Sequence, residues 1–309
     1  MPERLTPLRE LVNVAEMETM ARLRLDPSSY AEIAGSDRSA FERITFRPRA
    51  MVDTTGLNLS LELFGQKLFA PVLAGPASRL ARFHGDAESA LVKGAAAAKA
   101  AVVLAAESSR PLEHVIREGG APLFCQVSPG KDPEAVRDRA RHAVALGCKA
   151  VFLTLSADWT WNDIDQFRKD LGAPLVIKGV MTPAEAKAAL ERGIDGLVVS
   201  SYRRQAAEGM AQAIEMVGPV ADAVGGRAPV LVDGSFRRGT DILKALALGA
   251  RGVLVCRPVL WGLAAYGAEG VQYVLEMLQT ELARSMVMIG AVDLNHIVRP
   301  MVRIHRRPA

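Results

Sequence analysis

Eight short apolar runs, each leading into a stretch with helical periodicity or a loop that precedes one, constrain this chain more than any other feature. The runs occupy residues 71–74, 101–105, 122–127, 150–155, 174–177, 196–200, 229–232 and 252–255. They are short and rich in Val, Leu and Ile, the pattern of strands buried on both faces. Between them, residues 86–100, 111–118, 132–146, 161–171, 183–192, 206–224 and 240–248 carry helical patterns, several of them alanine-rich. Several open on a capping residue followed by proline or an acid, as in Asp132-Pro133-Glu134 and Thr182-Pro183-Ala184-Glu185. Several close on glycine, at Gly147, Gly193 and Gly249.

This rhythm predicts an α/β chain closed into a (β/α)8 TIM barrel. A doubly wound open sheet is the rival. It favours a Gly-x-Gly-x-x-Gly turn after its first strand, and Gly75-Pro76-Ala77-Ser78 is not one. Residues 1–69 read as an N-terminal helical cover, with helices over 16–24 and 30–34 and a turn at Leu63-Phe64-Gly65-Gln66. The barrel is expected over 70–262, and C-terminal helices over 271–289 and 293–298 with a basic tail fill 263–309. No linker or low-complexity segment interrupts the 309 residues, so one domain is expected.

Charge and cysteine content narrow the partners. The formal charge is +4, and much of the surplus sits in residues 299–307, which speaks against a nucleic-acid surface. Cys125, Cys148 and Cys256 form no close pair, so neither a disulfide framework nor a metal site is expected, and a reducing cytoplasm fits. Apolar runs are broken by Lys, Glu or Gly well before a membrane-spanning length, and the N-terminus has no apolar signal core.

In such a barrel, chemistry gathers where strands run out into loops. Polar residues stand there on six strands: Gln126 and Ser128, Thr154 and Ser156, Lys178, Ser200 with Tyr202 and Arg204, Asp233 with Arg237, and Arg257. A buried strand that ends in lysine has no packing reason for it, because the amine needs an anion or an electron-rich acceptor. Asp233-Gly234-Ser235-Phe236-Arg237 and Val255-Cys256-Arg257-Pro258 close the last two strands. Glycine for close backbone approach, a helix N-terminus and two arginines make a phosphate cradle.

These motifs resemble the FMN-dependent 2-hydroxy-acid oxidase and dehydrogenase family, which includes glycolate oxidase, lactate oxidase and mandelate dehydrogenase. The resemblance covers nearly the whole chain and is densest at Val176-Ile177-Lys178-Gly179-Val180, over 230–257 and at Lys244-Ala245-Leu246-Ala247-Leu248-Gly249-Ala250. It implies FMN as cofactor, with the backbone of Gly75, Pro76 and Ala77 facing the flavin ring and Gln126 and Thr154 at its polar edge. Lys178 would sit at the N1–O2 side, where positive charge stabilises the reduced anionic ring. Ser200 would touch the ring region, Asp233 would hold the ribityl chain, and Gly234, Arg237 and Arg257 would hold the phosphate. Cys256 stands where the family usually has glycine. Homo-oligomers, commonly tetramers, are also implied.

The catalytic half departs from the family. Where the family reads Ser-Asn-His-Gly-Ala-Arg-Gln after strand six, this chain reads Ser200-Ser201-Tyr202-Arg203-Arg204-Gln205, and no histidine occurs between His142 and His296. Tyr202 stands nearest the base position, Ser128 replaces a tyrosine, Ser156 replaces the acid that pairs with the histidine, and Glu32 replaces an N-terminal tyrosine. Of the carboxylate-binding arginine pair only Arg204 remains, and Asp158-Trp159-Thr160-Trp161 leads directly into a helix where a long lid would begin. A neutral tyrosine, with a reference pKa near 10, is a poor base. Two readings stay open: an FMN oxidoreductase acting on a non-standard small-molecule substrate through Tyr202, Arg204 and Glu32, or a flavin-binding pseudoenzyme serving as scaffold or partner subunit. His84 is a candidate for a relocated base, although Arg82-Phe83-His84-Gly85-Asp86 reads equally well as a helix entry.

Overall fold

The computed structural model describes residues 5–202 and 211–305. Eight strands form the barrel: β1 (Val72–Ala74), β2 (Ala101–Ala105), β3 (Leu123–Val127), β4 (Val151–Thr154), β5 (Leu175–Val180), β6 (Gly196–Val199), β7 (Val230–Asp233) and β8 (Gly252–Val255). They pair in parallel in chain order, and β8 returns to β1 to close the barrel. The helices that follow are α1 (Ala87–Ala97), α2 (Leu112–Glu118), α3 (Pro133–Ala145), α4 (Trp161–Arg168), α5 (Pro183–Glu191), α6 (Ala213–Val224), α7 (Gly239–Ala247) and α8 (Arg257–Ile289). Asp132, Thr160 and Thr182 cap α3, α4 and α5 with their side chains, satisfying first-turn N–H groups.

Period-two alternation sorts each strand into an outer and an inner row. Leu73, Val103, Phe124, Phe152, Val176, Val198, Leu231 and Leu254 fill the barrel interior as one buried cluster. The alternate residues of the strands pack outward against the helices in a separate core. The N-terminal end is plugged by a hairpin of Leu61–Leu63 and Gln66–Leu68. Its turn places Phe64 and Gly65 at φ 49° and 73°, the left-handed pair that tight hairpins use. The Phe64 ring meets Phe124 and Phe152 edge-on at 5.8 and 6.0 Å. Gly196, at the start of β6, makes room for it, since a Cβ there would lie 2.7 Å from the ring.

Three expectations shift. Strand β5 runs to Val180 rather than ending at 177, because Lys178 is buried and takes a ladder position opposite Thr154 and Val198. The register slips between Lys178 and Val180, and Gly179 sits at φ 111°, so a bulge turns the chain immediately after the lysine. The C-terminal helix expected at 271–289 begins at Arg257, with Gly267 (φ 60°) bending it. Its glycines disguised the periodicity: Gly262 and Gly270 pack backbone to backbone, and a Cβ on Gly270 would lie 2.1 Å from the Gly262 carbonyl oxygen. The helix expected over 293–298 is a single 3-10 turn, Leu294–His296, capped by the Asp293 carboxylate, and a second turn, Arg299–Met301, follows it. Among the described residues no helix is long and apolar enough to cross a membrane, and no group of His, Cys, Asp and Glu could hold a metal ion.

Candidate active site

Two residues beyond the apolar inner layer, the same strand faces carry Gly75, Ala105, Gln126, Thr154, Lys178, Ser200, Asp233 and Cys256. One turn of the alternation thus converts a sealed core into a chemically mixed floor at the C-terminal end of the strands. Above it lies a cavity of about 460 Å3, a size suited to a cofactor or drug-sized ligand. Its walls include Glu32, Gly75, Pro76, Ala77, Gln126, Thr154, Lys178, Tyr202, Asp233, Gly234, Arg237 and Arg257. The structure therefore brings the sequence-selected residues together, with two exceptions. Ser200 is fully buried, behind Lys178 rather than on the wall, and Arg204 lies outside the described residues.

Lys178 is the electrostatic centre of the floor. It is 4% exposed, its ammonium lies 2.8 Å from the Asp233 carboxylate, and it donates to Ser200 Oγ at 3.0 Å. The buried cation thus has an anion and a hydroxyl, the partners burial demands. The Tyr202 ring centroid lies 5.0 Å from the same nitrogen, within cation–π range. Tyr202 itself is 58% exposed at the mouth. Beside the lysine, the Gln126 amide donates to Thr154 Oγ1 at 2.8 Å and to Ser128 Oγ at 3.0 Å, which leaves its carbonyl oxygen as an acceptor.

The far end of the cavity is positive. Consecutive left-handed residues, Gly234 (φ 98°) and Ser235 (φ 62°), fold the loop after β7 across the barrel mouth. Arg237 is buried, stacks over Trp261 at 4.4 Å, and donates to the Phe236 carbonyl and to Ser36 Oγ. Arg257 donates to the Gly35 carbonyl at 2.7 Å. Among the described residues neither guanidinium has a carboxylate within salt-bridge distance. Burial first, and the neighbouring Arg257 second, press the Arg237 pKa below its usual range. Two adjacent, uncompensated cations beside the N-terminus of α8 form an anion site. Cys256 lies between this site and the Gly75 wall, its Sγ 3.6 Å from the Pro76 carbonyl, and burial pushes its thiol up to about 11.

At the rim Glu32 is ion-paired with Arg82, and Ser156 donates to Asp158. Several contributors escaped sequence reasoning. Ser36 bridges Ser235 and Arg237, and Asp241, 2% exposed, accepts from Arg38 at 2.7 Å and from the Arg237 and Arg238 backbone. Asp241 carried one signal, its place three residues after the N-cap of α7. Ser36 and Arg38 carried none, because their partners are about 200 residues away. His84 touches the bend of α8, its ring 2.9 Å from where a Gly267 Cβ would stand.

A family model for FMN-dependent dehydrogenases matches residues 28–159 and 154–304. The chain belongs to the FMN-dependent dehydrogenase family. It is 31% identical to an L-lactate oxidase from Nostoc sp. over an alignment covering 95% of this chain and 98% of the relative. A 4-hydroxymandelate oxidase of Amycolatopsis orientalis is 30% identical, with 90% and 94% covered. A crystal structure of mandelate oxidase with (S)-2-phenylpropionate superposes with a TM-score of 0.91 at 30% identity, covering 95% of this chain and 99% of that one. The protein is thus a flavin oxidoreductase with FMN as its cofactor. The cavity's chemistry fits that group: a glycine-bearing wall for a planar ring, a buried lysine on the polar floor, and, for one phosphate, two arginines with no carboxylate within salt-bridge distance among the described residues.

Proposed function

We propose that this flavoprotein oxidises a non-standard, larger donor through an open barrel mouth, and does not run the family's ordinary 2-hydroxy-acid reaction. The observation that carries the reading is the lack of any histidine on the cavity wall among the described residues, with Tyr202 standing over Lys178 instead. A 2-hydroxy acid needs a base near neutral pKa and positive groups for its carboxylate. A tyrosine hydroxyl can hold or donate a proton, and a phenol is intrinsically a weaker base than an imidazole. Glu32, on the wall beside Arg82, adds negative charge where a small carboxylate would enter.

A short connection after β4 supports the same reading: the strand ends at Thr154 and α4 begins at Trp161. The two stretches matched by the family model meet at residues 154–159, and the alignment with the Nostoc enzyme runs over 358 positions, more than this chain's 309. Extra sequence in the relative at this loop, where a lid would stand, would give both.

Bound FMN supplies the two-electron acceptor. The protein's part is to hold its phosphate at Arg237 and Arg257, to keep the Lys178 charge fixed by Asp233 and Ser200, and to present Tyr202, Glu32 and Arg204 to the donor. A flavin-binding scaffold is the alternative, but a scaffold needs only the phosphate grip, and the buried, doubly held Lys178 favours redox work. On the same footing we take the protein to be a cytoplasmic homo-oligomer acting on a small molecule. The test is anaerobic flavin reduction by glycolate, L-lactate and mandelate beside a panel of larger 2-hydroxy acids and alcohols. Slow bleaching by the first three with faster bleaching by a larger donor is expected. Rapid bleaching by any of the three overturns the reading, and no bleaching by any donor turns it to the scaffold.

A further inference from the structure

Beyond the flavin cavity, outward from the end of β2, lies a second cavity of about 330 Å3. Ala106 and Arg139 line both, so the two meet along a shared wall. The outer one mixes apolar with charged and hydroxyl side chains, and its walls are tied together. Ser109 donates its N–H to Glu88, a carboxylate 1% exposed that also takes the Leu80 N–H, and Ser109 Oγ accepts from the Ala81 N–H. One buried acid therefore pins the loops after β1 and β2 together. Arg110 donates to the Gly85 carbonyl at 2.8 Å, and His142 lies 2.6 Å from Glu113. These bonds hold the walls in place before any ligand arrives, which lowers the ordering cost of binding.

One arginine stands apart from these contacts. Glu113 is engaged by His142, and Asp86 lies 3.8 Å from Arg110. Arg139, on α3, has no carboxylate within salt-bridge distance among the described residues, and it stands where the two cavities join. We propose that the outer cavity binds an anionic group at the donor's far end, a carboxylate or a phosphate monoester, against Arg139. The donor's oxidisable end then lies over the barrel mouth and its charged far end reaches past β2. The assignment rests on the open-mouth reading above. A guanidinium suits either anion through paired N–H donors, with the serines of the loop as further donors.

The experiment is anaerobic calorimetry on the FMN-loaded protein with three probes: 2-hydroxyhexanoate, 2-hydroxyglutarate and 3-phosphoglycerate. At least one of the two probes with a far-end anion should bind about tenfold tighter than 2-hydroxyhexanoate, the scale of one charge-assisted contact in a partly open site. Whichever binds tighter names the far group as carboxylate or phosphate. In Arg139→Gln that advantage should vanish while flavin content and the affinity for 2-hydroxyhexanoate hold. Far-end anions that bind no better than 2-hydroxyhexanoate, that fail to bind, or whose advantage survives Arg139→Gln overturn the proposal. Absorbance spectra of the same mixtures show whether the flavin is bleached, so the two readings fail separately. Probes that bind through Arg139 but never bleach the flavin would count against the larger-donor reading and leave this site standing.

Discussion

The Lys178 ammonium and the Asp233 carboxylate lie 2.8 Å apart at the floor of the flavin cavity, joining β5 to β7 across the intervening β6. Removing one partner leaves the other buried and uncompensated. Lys178→Met should destabilise the protein by roughly 3 kcal/mol, the low end for a broken buried pair because Asp233 borders the cavity. Lys178→Met/Asp233→Asn should recover part of that loss while flavin reduction stays slow. Thermal melts of the two variants check the first claim and anaerobic reduction the second. Equal melting temperatures for both variants would show that the pair is not coupled.

Arg257→Ala separates ligand binding from folding. The substitution removes a hydrogen bond to Gly35 but also relieves repulsion with Arg237, so the FMN-free protein should lose little stability. FMN affinity should fall by roughly 1–3 kcal/mol, as expected when a charge-assisted hydrogen bond to phosphate is lost. Calorimetric titration of FMN into apoprotein measures it. An unchanged affinity would remove Arg257 from the phosphate site.

The Glu32–Arg82 pair is partly exposed, so Glu32→Gln should change stability by less than about 1 kcal/mol. Its effect belongs to the site. Neutralising Glu32 and freeing Arg82 should tighten oxalate binding by roughly three- to tenfold at low ionic strength, and less in salt. Flavin absorbance titrations with oxalate would read this. No gain at low salt means that Glu32 does not face the anion.

Much of the site was legible because its residues lie on strands. The alternation that puts Val176 inside the barrel also puts Lys178 inside, and the same step of two links Phe124 to Gln126, Phe152 to Thr154 and Leu231 to Asp233. A polar residue at such a step is conspicuous in the sequence. Ser36, Arg38 and Glu88 were not, since each acts through contacts made by tertiary folding: Ser36 on Arg237, Arg38 on Asp241, and Glu88 on the loop N–H groups of Leu80 and Ser109. The start of α8 was hidden for another reason. Gly262 and Gly270 lower helix propensity where close backbone packing requires them, and Gly267 takes a left-handed φ at the bend, so local preference and tertiary structure point in opposite directions.

Tyr202→His alone should not restore oxidation of 2-hydroxy acids. A positioned general base contributes typically 10²–10⁴-fold, so its return could be visible. At this position, however, the ring of residue 202 faces the Lys178 cation at 5.0 Å. An imidazole there would be discouraged from taking up a proton, because a second positive charge would form beside the first. The family's acid is replaced by Ser156, which is itself spent on Asp158, and the family's tyrosine by Ser128, whose shorter side chain accepts from Gln126. Groups that act as a unit are strongly non-additive, so one restored member should give little. Stopped-flow reduction by L-lactate and glycolate compares Tyr202→His with Tyr202→His/Ser156→Asp/Glu32→Tyr. The triple variant should be the faster, because its new carboxylate can stabilise the imidazolium against Lys178. A single variant that turns over at about one per second, within the range of ordinary enzymes, would mean that the rest of the catalytic apparatus is intact.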